Sequence, residues 1–572
     1  MKVRPIVSRE AVVPDALAGH VPPLLARLYA ARGVRAAAEL DTSLSRLVPV
    51  GAFAALPAAV ERLRRARRDG ERIVIVGDYD ADGATSTALL MRVLPVLGFG
   101  AVDFVIPNRF DYGYGLSPEA VTLAARAAPD LIVTVDNGIS SHAGVDAARE
   151  RGIDVLVTDH HLPGDTLPAA CALVNPNIAG EPFPHKSLAG VGVVFYLLAA
   201  LLRALVDDGE VDAGAQSHLT AALDLVALGT VADVVPLDHN NRILVEQGLR
   251  RIRAGHASPG VHALLAVAGR EPARATAADL GFAAGPRLNA AGRLDDMTVG
   301  IRCLLASDHA EAMRLASGLD ALNRERRTLE ARMRDEAEAH VARLAADEYP
   351  LPAGLTLYRE DWHQGVVGLV ASRMRERHHR PVFAFAPGDG GMLKGSGRSV
   401  PGLHLRDALD RVAVTHPGLV AKFGGHAMAA GLSLDATRLQ TFRDAFAAEA
   451  ERWLSPEVLA GTLCTDGALD PEALDLDTAE LLRDAGPWGQ HFDEPLFHGE
   501  FRVHEAREVG RGHLKMTLSP ADAPRPVPAI AFGWPEPWPD TGARLVVVYR
   551  LQVNEWQGRR SVQLLVEHLQ PA

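Results

Sequence analysis

The sequence predicts an α/β protein in three parts. A mostly parallel sheet flanked by helices comes first, then a second α/β unit beyond a long helix, then a small β-barrel. Three observations predict this. Apolar runs alternate with helical patterns between residues 71 and 240, as in a parallel sheet covered on both faces. A charged helical run over 307–347 separates that region from a second α/β pattern. From about residue 500 the chain breaks into short apolar runs spaced by turn residues.

Size and charge bound the rest. At 572 residues the chain exceeds one hydrophobic core and divides into several domains. A net charge of −12 excludes a uniformly basic DNA-coating protein but not a local basic groove. Cys171, Cys303 and Cys464 are far apart and form no CxxC pair, which disfavours disulfides and structural zinc. The first residues lack an apolar signal core, and Val191 to Val206 reads as a buried helix, not a span. The expected location is the cytoplasm, with no membrane association.

Residues 1–50 carry short helical patterns and prolines and are read as an N-terminal wrap. Over 51–70 a basic amphipathic helix holds Arg62, Arg64, Arg65, Arg67 and Arg68. It suits either a nucleic-acid contact or a solvated face. Ile73-Val74-Ile75-Val76-Gly77 reads as a buried parallel strand. Asp78, Asp80 and Asp82 come next at alternate positions, where open α/β sheets place their ligands. Helix capping explains a single acidic turn. However, Leu131–Val135 ends in Asp136, Val155–Thr158 ends in Asp159-His160-His161, and Leu225–Ala232, read as a fourth apolar strand, ends in Asp233. Four such segments point to a metal site. Many carboxylates with few imidazoles fit two Mn²⁺ or Mg²⁺ ions better than zinc.

Between the acidic strands, Pro107 to Leu116 holds Arg109, Tyr114 and two more aromatics in a glycine-containing loop. It suits base stacking and phosphate contact, or a turn packed on the core. Gly285 to Asp296 reads as a loop whose Arg287, Asn289 and Arg293 grip phosphate, or as a charged surface turn. The connecting helix is assigned to 307–350 and the second α/β unit to 351–452. That unit holds Ser372-Arg373 and two glycine-rich stretches read as anion-facing turns, Lys394–Ser399 and Phe423–Gly431. No GxxxxGK[ST] is present, which disfavours a nucleoside triphosphatase. Residues 453–499 form a linker, and 500–572 suit a barrel of the OB type, a common single-strand binder.

Six motifs in order carry a resemblance: Gly77–Gly83, Val135–Gly138, Asp159–His161, Gly229–Asp233, Gly285–Arg293 and Gly424–His426. The sequence resembles the DHH phosphoesterases and, within them, the RecJ-type single-strand-specific DNA exonucleases, from about residue 50 onward. The resemblance implies a DHH catalytic domain over 51–306, a DHHA1-type domain over 351–452 and an OB-like barrel. It implies that Asp78, Asp80, Asp82, Asp136, His160, His161 and Asp233 form or line a two-metal centre, with Asp136 bridging. Asp82, Asp136, His160 and His161 would carry catalysis, His161 either as a ligand or as a phosphate or proton contact. Arg109, Arg287, Asn289, Arg293, Ser372 and Arg373 would hold phosphates, Tyr114 would stack on a base, and Gly424, Gly425 and His426 would meet substrate across a cleft. The implied reaction is 5′ to 3′ hydrolysis of single-stranded DNA to 5′ mononucleotides, in repair and recombination, by a monomer working beside a helicase and a single-strand-binding protein. The rival readings are a DHH phosphoesterase for short oligonucleotides or pyrophosphates, and a non-catalytic strand binder.

Overall fold

The computed structural model describes residues 3–108, 112, 114–347, 351–510, 512–523, 525–534, 537–556 and 558–572. Five parallel strands make the first sheet: β1 (Ile73–Gly77), β2 (Val102–Val105), β3 (Leu131–Val135), β4 (Asp154–Thr158) and β5 (Ala172–Val174). Their spatial order is β2-β1-β3-β4-β5. Every residue of β1 and β3 is buried, which is why both read as unbroken apolar runs. The register pairs Gly77 with Val135 and Val135 with Thr158. Three neighbouring strands therefore end level, and Asp78, Asp136 and Asp159 leave the sheet side by side.

Three helices close around that edge: α1 (Ala81–Val96), α2 (Gly190–Asp207) and α3 (Leu223–Ala232). Among the described residues, α2 is the one unbroken helix long and apolar enough to cross a membrane, and most of it is packed inside the first domain. Helix α3 corrects the reading of 225–232 as a strand. Leu223 through Thr230 are all buried, so no polar stripe betrays the helical period. A second correction concerns 285–296: Gly285–Leu294 is a helix, α4, entered through a π-helical turn at Leu280–Ala284. Small residues there serve packing. A side chain at Gly292 would collide with the Tyr79 carbonyl.

Helix α5 (His309–Asp347) links the two α/β units. Its Leu315 and Leu319 belong to the first core, and its Met333, Ala337 and Val341 to the second. The second sheet contains β6 (Leu355–Tyr358), β7 (Val382–Pro387), β8 (Met392–Arg398), β9 (Val420–Gly425) and β10 (Ala429–Asp435), in the order β9-β10-β8-β7-β6. The glycine-rich stretches expected to be turns are thus largely strands. Helix α6 (Val367–His378) packs on β7 and β8.

Five further strands close a barrel: β11 (Phe497–Val509), β12 (His513–Pro520), β13 (Val527–Ala531), β14 (Arg544–Trp556) and β15 (Arg559–Pro571). The ring runs β11-β12-β13-β15-β14, with β13 and β15 parallel, as in an OB barrel. The N-terminal segment reaches this end of the molecule as well as the first domain. Ile6–Ser8 pairs in parallel with Leu463–Thr465. Arg32 grips Asp466 through two hydrogen bonds of 3.0 and 2.9 Å. The basic helix, Leu56–Asp69, turns its arginines into ion pairs, Arg62 with Glu71 and Asp154, Arg64 and Arg67 with Glu210. Ion pairing of this kind suits the solvated face that the sequence offered as one of two readings.

Candidate metal centre and substrate cleft

The acidic groups converge. Asp78, Asp80 and Asp136 offer carboxylate oxygens within 4.8 Å of one another; Asp136, His160 and His161 bring their ligand atoms equally close, and so do Asp82, His160 and Asp233. Asp136 and His160 each belong to two of these groups. The His160 Nε2 lies 3.1 Å from Asp136, 3.4 Å from Asp233 and 3.9 Å from Asp82.

Each side chain is held from behind. One oxygen of Asp80 caps α1, accepting from the Asp82 and Gly83 amides at 2.9 and 3.0 Å. Capping and ligation are therefore compatible roles for one carboxylate. Asp82 is fully buried and accepts from the Gly190 and Val191 amides, at 2.6 and 2.8 Å, at the positive end of α2. Gly190 allows this approach, since a Cβ there would lie 2.8 Å from the Cβ of Asp136. Asp136 itself has φ +59°, in the left-handed region that Asp tolerates better than most residues. Asn137 next to it donates to the carbonyls of Val76 and Val135, tying β1 to β3.

Asp159, which the sequence alone leaves without a role, organises the two histidines. It accepts from the amides of Ile139, His160 and His161 and lies 2.8 Å from His161 Nδ1. Asn175 and Asn177 donate to the carbonyls of His161 and His160. The His-His turn is thus fixed at every backbone group that matters for its aim.

The electrostatics demand positive charge. Burial, then the neighbouring carboxylates, push Asp82 and Asp233 up to about 7 and Asp136 well above the usual carboxylate range. Burial lowers His160, leaving it neutral and able to donate a lone pair. Burial also pulls on His161, but the Asp159 hydrogen bond and surrounding carboxylates outweigh it and raise that ring to about 9. Asp136 Oδ1, His160 Nε2 and Asp233 Oδ2 are buried without a hydrogen-bond partner. Orphaned acceptors facing one another inside a protein fit hard divalent cations.

The second domain closes over this centre. His426, just beyond β9, lies against His161, and Tyr114 meets His161 edge-on. A cleft of about 650 Å³ opens beside the metal groups. Tyr79, Asp80, Tyr114, Asn289 and Arg293 line one wall; Gln364, Lys394, Ser396 and Arg398 line the other.

Residues 72–230 match the DHH family, N-terminal domain; 352–452 match the DHHA1 domain; 465–568 match the RecJ OB domain. The chain is 56% identical to the single-stranded-DNA-specific exonuclease RecJ of Dickeya dadantii, over 100% of this chain and 99% of that one. It is 54% identical to the corresponding Escherichia coli protein, over 97% of each. The chain belongs to the RecJ family. A crystal structure of RecJ from Thermus thermophilus in complex with Mn²⁺ superposes with a TM-score of 0.79 at 33% identity, covering 99% of this chain and 79% of that one.

Within this RecJ fold, several expected phosphate contacts sit elsewhere. Arg287 is spent on Asp320 of α5 at 2.7 Å and on the Ala283 carbonyl, and does not line the cleft. Ser372 turns its hydroxyl back to the Gly368 carbonyl at 3.1 Å, and Arg373 pairs with Glu330 and Glu376. Both lie on α6, outside the cleft wall. Ser396 and Arg398 of β8 line the cleft instead, together with Lys394 and Gln364. Their signal was present: Lys394, Ser396 and Arg398 alternate with glycines, the period of one strand face. Asn289 and Arg293 do line the cleft; Asn289 also accepts from the Ala81 amide at 2.7 Å. Tyr114 donates to the Asp136 carbonyl at 3.2 Å, so its ring is anchored at the centre. Arg109 lies outside the described residues. Gly424 and Gly425 close β9 and lead into His426.

Proposed function

We propose that this chain is a metal-dependent exonuclease that hydrolyses single-stranded DNA from the 5′ end, releasing 5′ mononucleotides. The observation that carries the reading is the sharing of Asp136 and His160 between ligand groups beside a basic cleft. Asp78, Asp80, Asp82, Asp136, His160 and Asp233 are the proposed ligands of two Mn²⁺ or Mg²⁺ ions, with His161 at their margin. Such ions supply Lewis-acid activation of water and neutralisation of charge on the phosphoryl oxygens.

The protein's own residues do the rest. Asp159 holds His161 against the reacting edge of the site, where the protonated ring faces phosphate. Arg293, Lys394, Ser396 and Arg398 hold a terminal 5′ phosphate across the cleft, and their charge selects a polyanion on an otherwise acidic protein. Tyr79 and Tyr114, 6.4 Å apart and edge to face, offer a surface for an unpaired base. The domain division agrees with the same reading: a catalytic unit over 51–306, a substrate-binding unit over 351–452 and a strand-binding barrel from about 500.

Labelled single strands, duplexes and dinucleotides incubated with Mn²⁺ test this directly. The expected outcome is mononucleotide release from the 5′ end of single strands alone. Cleavage confined to dinucleotides would install the short-oligonucleotide reading instead. Family membership is the ground for proposing a cytoplasmic monomer that acts with a helicase and a single-strand-binding protein in recombination and repair.

A further inference from the structure

Two large apolar side chains stand out in solvent beside the metal centre. Phe282 is 85% exposed and Val234 is 62% exposed. Irregular backbone presents each of them. Phe282 sits in the π-helical turn at Leu280–Ala284, a deviation often found at functional sites. Val234 comes directly after Asp233 and has φ +63°, a strained conformation for a β-branched residue. Of the five non-glycine residues with positive φ among those described, Asp136 and Val234 are the two at this centre.

The two lie on one path. Gly281 and Gly285 seat the π-turn against Val231 and Ala232, where an added Cβ would be 3.1 and 3.0 Å from their side chains. From there the open side of the helix runs through Phe282, Pro286, Asn289 and Arg293, while Ala283–Gly285, Leu288 and Ala290–Gly292 are buried. That spacing is one helical stripe. Its far end, Asn289 and Arg293, lines the phosphate-facing cleft. Eleven residues of helix span about 16 Å, the length of several nucleotides. The stripe therefore starts at the basic cleft, passes the Asp80 turn at Tyr79–Ala81, and finishes on an aromatic ring in the π-turn that packs on Val231 and Ala232, the residues before Asp233.

We infer that Phe282 is a stacking step for a nucleobase of the strand beyond the first nucleotide on the 3′ side of the scissile phosphate. This rests on the single-strand reading above. A flat, exposed ring continuous with a basic groove is what sequence-independent single-strand binding uses. Keeping the downstream base stacked would hold the strand in register between successive cuts.

Phe282→Ala and Phe282→Trp, made in the full chain, test it. For a long single strand, the alanine variant raises KM about tenfold, the effect of losing one stacked base, with kcat little changed. The tryptophan variant restores it. A 5′-phosphorylated dinucleotide, too short to reach the step, gives unchanged KM in all three proteins. Anisotropy of a labelled strand reports the same loss of affinity without any cleavage, so a protein that binds through Phe282 but does not cut sinks the exonuclease reading alone. Unchanged KM and affinity in the alanine variant overturn the inference. So does a loss that tryptophan fails to restore, or one matched by altered self-association, which would assign the ring to a second copy of the chain.

Discussion

His426 of the second domain stacks on His161 of the first, with ring centroids 6.4 Å apart and 19° between planes. The contact ties the second sheet to the histidine that Asp159 orients. It makes domain closure and the aim of His161 parts of one arrangement. Replacing His426 by alanine therefore lowers kcat/KM for single strands about tenfold, through both terms, while Mn²⁺ affinity stays within about twofold. Steady-state kinetics with calorimetric metal titration checks it.

Asp136 is shared by two ligand groups, so its loss is not compensated. Asp136→Ala lowers kcat on labelled single strands by about 10³-fold or more and reduces the number of Mn²⁺ ions bound. Full activity in this variant would remove the basis of the assignment.

Asp159 acts through the histidines, not on the phosphate. Asp159→Asn costs about 10- to 100-fold in activity or metal affinity, the usual weight of a group that orients ligands. The pH profile distinguishes this from a mere loss of folding. Without the carboxylate, the His161 ring titrates lower, and the alkaline limb of kcat moves to lower pH.

Arg398 and Arg287 separate two roles for arginine. Arg398→Ala raises KM for 5′-phosphorylated strands about 10- to 100-fold, with a smaller effect on strands ending in hydroxyl. Arg287→Ala leaves KM unchanged but destabilises by about 2 kcal/mol, because it strips a partner from buried Asp320. Thermal melts and substrate titrations on the two variants give opposite patterns.

In the metal-stripped protein, the stability that Asp82 and Asp233 contribute falls as pH rises. Asp82 and Asp233 hold protons up to about 7 in the folded state, whereas an unfolded chain releases them near 4. The folded state thus binds more protons between these values, and its advantage, complete below about pH 4, is lost as pH climbs through about 7. Added Mn²⁺ reverses the trend and releases protons on binding. Melting temperature against pH, with and without Mn²⁺, shows whether the two curves diverge upward.

Much of the centre was legible because buried parallel strands announce themselves. β1, β3 and β4 are largely apolar runs, and the shared edge of the sheet brings the acidic residues that follow them, Asp78, Asp136 and Asp159, to one place. The same rule misread α3, since a helix buried on all sides is also an unbroken apolar run. Arg287 looked free because its partner Asp320 lies far along the chain, on a different helix. A Ser-Arg pair occurs on α6, and a serine and arginine two apart occur on β8. Only the fold decides that β8 faces the cleft, although its alternation with Gly395 and Gly397 was there to read.

The pairing of Ile6–Ser8 with Leu463–Thr465 has a consequence for biosynthesis. The strand Ile6–Ser8 has no edge to join until residues 463–465 have been made. Meanwhile the catalytic unit, whose sheet is complete by Val174, can already fold around its carboxylates. Assembly then includes a late pairing of these two segments, with Arg9 and Arg32 waiting for Asp493 and Asp466. Nascent chains arrested before residue 463 would carry a protease-sensitive leader ahead of a protected nuclease core.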